Sequence, residues 1–218
     1  VYTIWETQFD DLPNFPEYQD NTIRLRNESF NHAAKYSKKI FVSTKKLSEE
    51  IKKKYNISNN KIILQTFPPS VTTKKIEENY IPENLEIKNI INEKFFYYPA
   101  QYWKHKNHEY IINAVKLIKK TKIDFKIIFS GHDKGYLHNL KSLTKKLNIE
   151  DLFIFFDYVS DEDLIILYKN CHALIIPSLV GTHTFPLYEG FYFQKPLIYN
   201  YQNLDDKFLN CVIKLDIN

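Results

Sequence analysis

Glycine and cysteine are both scarce in this chain of 218 residues, with four of the first and two of the second. Cys171 and Cys211 stand in unrelated settings with no Cys-x-x-Cys spacing. That speaks against a disulfide framework and fits idle thiols in a reducing cytosol. No apolar run reaches membrane-spanning length, and no segment reads as a cleavable leader. Gly-x-x-x-x-Gly-Lys, Gly-x-Gly-x-x-Gly and Gly-x-Ser-x-Gly are all missing, which removes the main support for P-loop, classical dinucleotide and serine-hydrolase readings. His105 and His108 are close in sequence but have no third ligand at a recognisable spacing, so no metal site is expected.

What is present is apolar matter enough for a real core, 44% hydrophobic and 16% aromatic. The formal charge is a modest +4, with lysines such as Lys52-Lys53-Lys54 and Lys145-Lys146 on the polar sides of expected helices. Such lysines read as solvated faces, and the aromatics fall at core spacing, so no nucleic-acid role is expected. A mildly basic surface does suit an anionic small substrate or an acidic membrane face. Val1-Tyr2-Thr3-Ile4-Trp5 reads as a strand already under way, and the chain is expected to be cut from something longer.

Short β-branched or aromatic runs alternate with amphipathic stretches. Strands are expected at 39–43, 61–67, 95–98, 125–130, 152–156, 173–176 and, last, 196–199. Between them the pattern gives a helix capped by Ser43 or Thr44 with Leu47, Ile51 and Tyr55 on one stripe. It gives another from Asn107 with Ile111, Ile112, Val115 and Ile118 inward, and further helices at 134–147, from the capping-box-like opening at Ser160, and at 187–193. Residues 67–94, weak in pattern and interrupted by Pro82, read as a linker between a first domain at 1–66 and a second at 95–218. Strand–helix alternation implies an α/β fold with a doubly wound parallel sheet, whose ligands bind beyond the carboxyl ends of the strands. Gly131, Gly135, Gly181 and Gly190 follow or flank two of those ends.

Two segments there carry chemistry. In 98–107, a strand ends, a loop brings Lys104, His105 and Lys106, and a helix begins; free N–H groups and full charges together suit a phosphate or diphosphate. The alternative is a solvated loop with Trp103 folded back as a lid. In 177–190, small and hydroxyl residues run into a helix bearing Glu189. Loop amides can hold a diphosphate, and a carboxylate so placed can accept from ribose hydroxyls. The alternative for Glu189 is a charge that merely complements the helix start.

Taken in order, these segments resemble the family-4 glycosyltransferases (group 1) of the GT-B fold. The resemblance is carried by Phe15-Pro16-Glu17 with Arg24 and Arg26, then Pro99-Ala100-Gln101-Tyr102-Trp103-Lys104-His105-Lys106-Asn107-His108. It is carried also by 39–43, Lys-Ile-Phe-Val-Ser, and continues through 156–164, Phe-Asp-Tyr-Val-Ser-Asp-Glu-Asp-Leu, and 176–190. It implies a GT-B type α/β fold, a doubly wound Rossmann-like sheet with part of a second Rossmann-like domain. It also implies retaining, metal-independent transfer of a sugar from a UDP- or GDP-linked donor to a glycan or lipid-linked acceptor hydroxyl, with no cofactor beyond the donor substrate. By the same resemblance Lys106 is catalytic, meeting the donor diphosphate. Gly181, Thr182, His183, Thr184, Phe185 and Leu187 form the diphosphate loop, with backbone amides of 184–187 facing the donor, and Glu189 meets the ribose. Tyr158 and Val159 line the base pocket. Gln101 stands where the family's arginine usually does, Gly181 where its first glutamate does, and Trp5-Glu6 where many relatives have His-Asp. The implied setting is the cytoplasm, peripheral at an inner membrane face, in surface-polysaccharide or lipopolysaccharide synthesis. A catalytically inactive nucleotide-sugar-binding or scaffolding module of the same fold is the rival reading.

Overall fold

In the computed structural model, residues 1–10, 15–65, 80–119, 124–181 and 185–217 are described. They form two compact units, each built on its own parallel sheet. The first comprises Val1–Phe67 together with Val180–Thr184 and Asn203–Leu209, and the second the remainder.

In the first unit, β1 (Tyr2–Thr3), β2 (Ile40–Val42) and β3 (Ile62–Leu64) lie side by side in that order. Helix α1 (Asp20–Tyr36) connects the first two strands and α2 (Lys45–Tyr55) the second pair. The helix α2 begins where the sequence places it: the Thr44 hydroxyl accepts from the Leu47 N–H at 2.9 Å, satisfying one of the free amides of the first turn. Its stripe of Leu47, Ile51 and Tyr55 is buried together with Ile4, Phe9, Phe30, Ile40 and Val42.

The second unit is a six-stranded parallel sheet. Its strands are β4 (Phe95–Pro99), β5 (Lys126–Ser130), β6 (Phe153–Phe156), β7 (Ala173–Ile176), β8 (Leu197–Asn200) and β9 (Ile213–Leu215), in the order β6-β5-β4-β7-β8-β9. Both faces of such a sheet are covered by helices, which is why β4, β5 and β7 are nearly continuous apolar runs. The covering helices are α4 (His108–Ile118), α5 (Leu137–Lys146), α6 (Asp161–Asn170) and α7 (Phe185–Tyr192). Ser160 caps α6 by accepting from the Asp163 N–H at 3.1 Å.

The structure departs from the sequence reading in several places, beginning with α1, a helix that the sequence reading did not expect. Part of the expected linker is a short helix, α3 (Leu85–Ile90), capped by Asn84 and burying Ile87 and Ile90; six residues are too few to show a period. The stripe of α4 holds through Val115, but Ile118, the last residue before the cap at Lys119, is 43% exposed. Helix α7 opens at Phe185 rather than 187, because Pro186 is tolerated in a first turn whose N–H groups have no intrahelical partner. The sheet also has one more strand than expected, β9, beyond β8. Among the described residues no helix is long and apolar enough to cross a membrane.

Candidate functional site

The strand order fixes where a ligand can enter the second unit. The chain runs outward from β4 through β5 to β6, then returns past β4 to β7 and outward again through β8 to β9. Connections from β4 and β7 therefore leave in opposite directions, and a crevice opens at their carboxyl ends, the rule for open doubly wound sheets. Both segments singled out from the sequence, 98–107 and 177–190, start at this switch point.

The two loops are tied together at the crevice. Leu179 N–H donates to the His105 carbonyl at 2.9 Å, and Asn107 Nδ2 to the Pro177 carbonyl at 3.3 Å. Asn200, at the end of β8, adds a bond from Nδ2 to the Ser178 carbonyl at 3.0 Å. Lys106 ends a tight 3-10 turn, Lys104–Lys106. Its N–H donates to the Trp103 carbonyl at 3.1 Å, and its own carbonyl accepts from the Tyr98 hydroxyl at 3.0 Å. Asn107 then takes the left-handed conformation (φ 57°) before α4 starts, which asparagine tolerates better than most residues. The backbone of Lys106 is thus held on both sides, and its side chain is half-buried.

On the other side of β4 the loops are equally knit. Ala100 N–H bonds the Ser130 carbonyl (2.9 Å), Tyr102 N–H the His132 carbonyl (3.1 Å), and Gly131 N–H is shared between the carbonyls of Phe156 and Asp157 (3.1 and 3.0 Å). The buried Tyr102 hydroxyl donates to the carbonyls of Phe129 (3.1 Å) and Phe156 (2.7 Å). Gly131 lies so close to the first loop that a Cβ there would sit 2.4 Å from the Ala100 carbonyl oxygen. Past these ends Tyr158 is 68% exposed, and its ring stacks on His132 at 5.7 Å between centroids and 16° between planes. Val159 beside it is half-buried. Gln101 is turned sideways, its Oε1 accepting from the Trp103 indole at 2.9 Å.

His108 is buried among Tyr98, Tyr102 and Phe129, with ring centroids 4.8, 5.2 and 4.9 Å away. Neither ring nitrogen closes a hydrogen bond of good geometry, although the Ala100 carbonyl lies near enough to favour the charged form against burial. Burial, and then the neighbouring Lys106 and His105, push its pKa from 6.5 down to about 3. The unfolded chain therefore takes up this proton first. Stability is whole above pH 6.5 and falls by about 1.4 kcal/mol per pH unit between there and pH 3. Melting curves from pH 7.5 to 4 should show that slope, and His108→Leu should flatten it; equal slopes in the two proteins would assign the acid sensitivity elsewhere.

The second loop divides. Gly181, positive in φ at 99°, groups with the first unit, where its N–H donates to Gln8 Oε1 at 2.8 Å. Thr182, His183 and Thr184 lie outside the described residues. Phe185 is 45% exposed at the start of α7, whereas the Leu187 side chain is wholly buried, so only its backbone could face a donor. Glu189 is 3% exposed, and its Oε2 accepts from the Tyr168 hydroxyl. Tyr168 was not singled out in the sequence: it lies 21 positions away on another helix, in an ordinary core position. In the first unit Glu6 pairs with Arg26 at 2.5 Å, and burial, opposed by Arg26, raises its pKa.

Comparison with known proteins bears on the family and the fold. Residues 81–203 match the family described as glycosyl transferases group 1. Among solved structures, WaaG, a glycosyltransferase involved in lipopolysaccharide biosynthesis, is 18% identical over 84% of this chain and 50% of its own, with a TM-score of 0.66. HepE of Anabaena, solved with UDP-glucose, is 16% identical over 91% and 52%, with a TM-score of 0.66. Sucrose-phosphate synthase from Thermosynechococcus elongatus is 14% identical over 90% and 49%, with a TM-score of 0.70. The chain thus spans about half the length of these structures. At such identities the likeness establishes the fold, the α/β GT-B fold with parallel sheets. No curated protein matches it in sequence.

Proposed function

This chain belongs to the glycosyl transferases group 1 family, and from that premise we propose that it is the donor-binding part of a retaining, metal-independent glycosyltransferase. The reaction moves a sugar from a UDP- or GDP-linked donor to the hydroxyl of a glycan or lipid-linked acceptor. The observation that carries this reading is the crevice between β4 and β7, with Lys106 fixed at its mouth by backbone bonds on both sides. A lysine so held is positioned to offset the charge that develops on a departing diphosphate. The amides of 184–187 add donors to the diphosphate, Glu189 accepts from the ribose, and the exposed Tyr158 with Val159 offers a surface for the base. The setting we infer is cytoplasmic, peripheral at a membrane face, in surface-polysaccharide or lipopolysaccharide synthesis.

One observation favours a second reading, a binding module without turnover. Gln101 is neutral and engaged with Trp103, and Gly181 offers no side chain, so two contacts usual in the family are missing. Calorimetric titration with UDP, GDP and their common sugar conjugates tests the site itself. Saturable binding of one diphosphate is expected, and binding of none would overturn the donor-site reading. A sugar-transfer assay then separates an enzyme, which releases the nucleoside diphosphate in step with transfer, from a module that binds and does nothing more.

A further inference from the structure

Glu189 is fixed in its backbone before any side chain acts on it. Gly190, its neighbour, lies so close to the sheet that a Cβ there would be 2.6 Å from the Leu197 side chain and 2.7 Å from that of Leu174. Helix α7 is therefore pressed directly onto β7 and β8, and the carboxylate retains only its side-chain torsions. A buried phenol restricts those: the Tyr168 hydroxyl, delivered from α6, donates to Glu189 Oε2. Tyr168 is itself immobile, wholly buried, with its ring edge-on to Tyr97 at 5.4 Å and stacked on Phe193 at 5.3 Å.

We propose that Tyr168 is a positioning residue for the donor: its hydroxyl turns the Glu189 carboxylate into the orientation that accepts the ribose hydroxyls. The inference rests on the ribose role of Glu189 proposed above. The chemistry suits the task. Burial and the adjacent Glu189 charge drive the Tyr168 phenol well above its ordinary pKa, so it stays a donor at every working pH. Being neutral, it orients the carboxylate without cancelling its charge. An ionised carboxylate offers about four lone-pair sites, and the phenol bond takes up a fraction of them. Orientation set before binding need not be imposed at binding, which is the advantage of preorganisation.

The test compares ribose hydroxyls present and absent. UDP and GDP are titrated into the chain, and the tighter of the two is then compared with its 2′,3′-dideoxy form in the parent, Tyr168→Phe and Glu189→Gln. Tyr168→Phe keeps the packed ring and removes only the hydroxyl, and its melting temperature reports that the fold is kept. The parent is expected to prefer the ribonucleotide by about tenfold or more, the scale of a hydrogen bond to a charged group. In both variants the preference should shrink towards one while affinity for the dideoxy form stays as in the parent. A parent with no preference, or no binding, overturns the ribose role of Glu189 and this inference with it, as does a preference that survives in Glu189→Gln. A preference lost in Glu189→Gln but intact in Tyr168→Phe overturns the role of Tyr168 alone. Equal weakening of both nucleotides in Tyr168→Phe does so too, because a merely structural tyrosine cannot distinguish them.

Discussion

Lys106→Ala is expected to lower the rate of sugar transfer by about a hundredfold to a thousandfold, the range for removing one charge-stabilising donor from a preorganised site. As the bond from the sugar to the diphosphate breaks, negative charge accumulates on the phosphate oxygens, and a cation held beside them acts more strongly on that state than on the ground state. Lys106→Ala keeps two bonds that shape the loop, because both are made by its backbone: its N–H donates to the Trp103 carbonyl and its carbonyl accepts from the Tyr98 hydroxyl. The variant should therefore melt with the parent and show most of its defect in kcat. Lys106→Arg should recover part of the rate, since the charge returns in a different shape. Near-normal turnover in Lys106→Ala would remove this residue from the mechanism and leave the site amides and helix ends to carry the diphosphate.

Gly131→Ala is the second large expectation, and it concerns stability. A Cβ on Gly131 would lie 2.4 Å from the Ala100 oxygen, 2.5 Å from its carbonyl carbon and 2.6 Å from the Gln101 nitrogen. All three are backbone atoms in a loop already bonded to β5, so no rotamer change relieves the clash. The loop carrying Lys106 must then move away from β5, at a cost of about 3 kcal/mol, the upper range for overpacking. For a chain of this size that corresponds to a melting temperature lower by roughly 10 °C. Gly135→Ala is the matched control. Its φ is +92°, but nothing lies within 4 Å of the added carbon, so only the backbone conformation is penalised, by about 1–2 kcal/mol. If the two variants melt together, the close approach of Gly131 to Ala100 is not what ties the loop down.

Several elements were legible because the signal was local. Thr44 and Ser160 cap α2 and α6 as their sequence offsets indicate, since a cap involves residues only three apart. The strands at 95–99, 126–130 and 173–176 announce themselves as apolar runs, because a parallel sheet buried on both faces needs them. Helix α1 was not legible: it is long and polar, and among its described residues only Phe30 and Ala33 are buried apolar side chains, too thin a stripe to give a period. The edge strand β9 is three residues long and largely exposed, and it is a strand only by virtue of pairing with β8.

The same division runs through the candidate site. Composition and order along the chain determined the α/β class, the family resemblance and the two candidate loops, because each of those is written in contiguous residues. Tertiary structure alone decided the strand order that turns both loops towards one crevice. It also decided the bond from Asn107 to Pro177 across 70 positions, the close approach of Gly131 to the Ala100 backbone, and the phenol of Tyr168 on the carboxylate of Glu189. These are meetings of residues remote in sequence, and no period or spacing along the chain encodes which strand will lie beside which. That choice is made when the sheet assembles, by burying its apolar runs between helices.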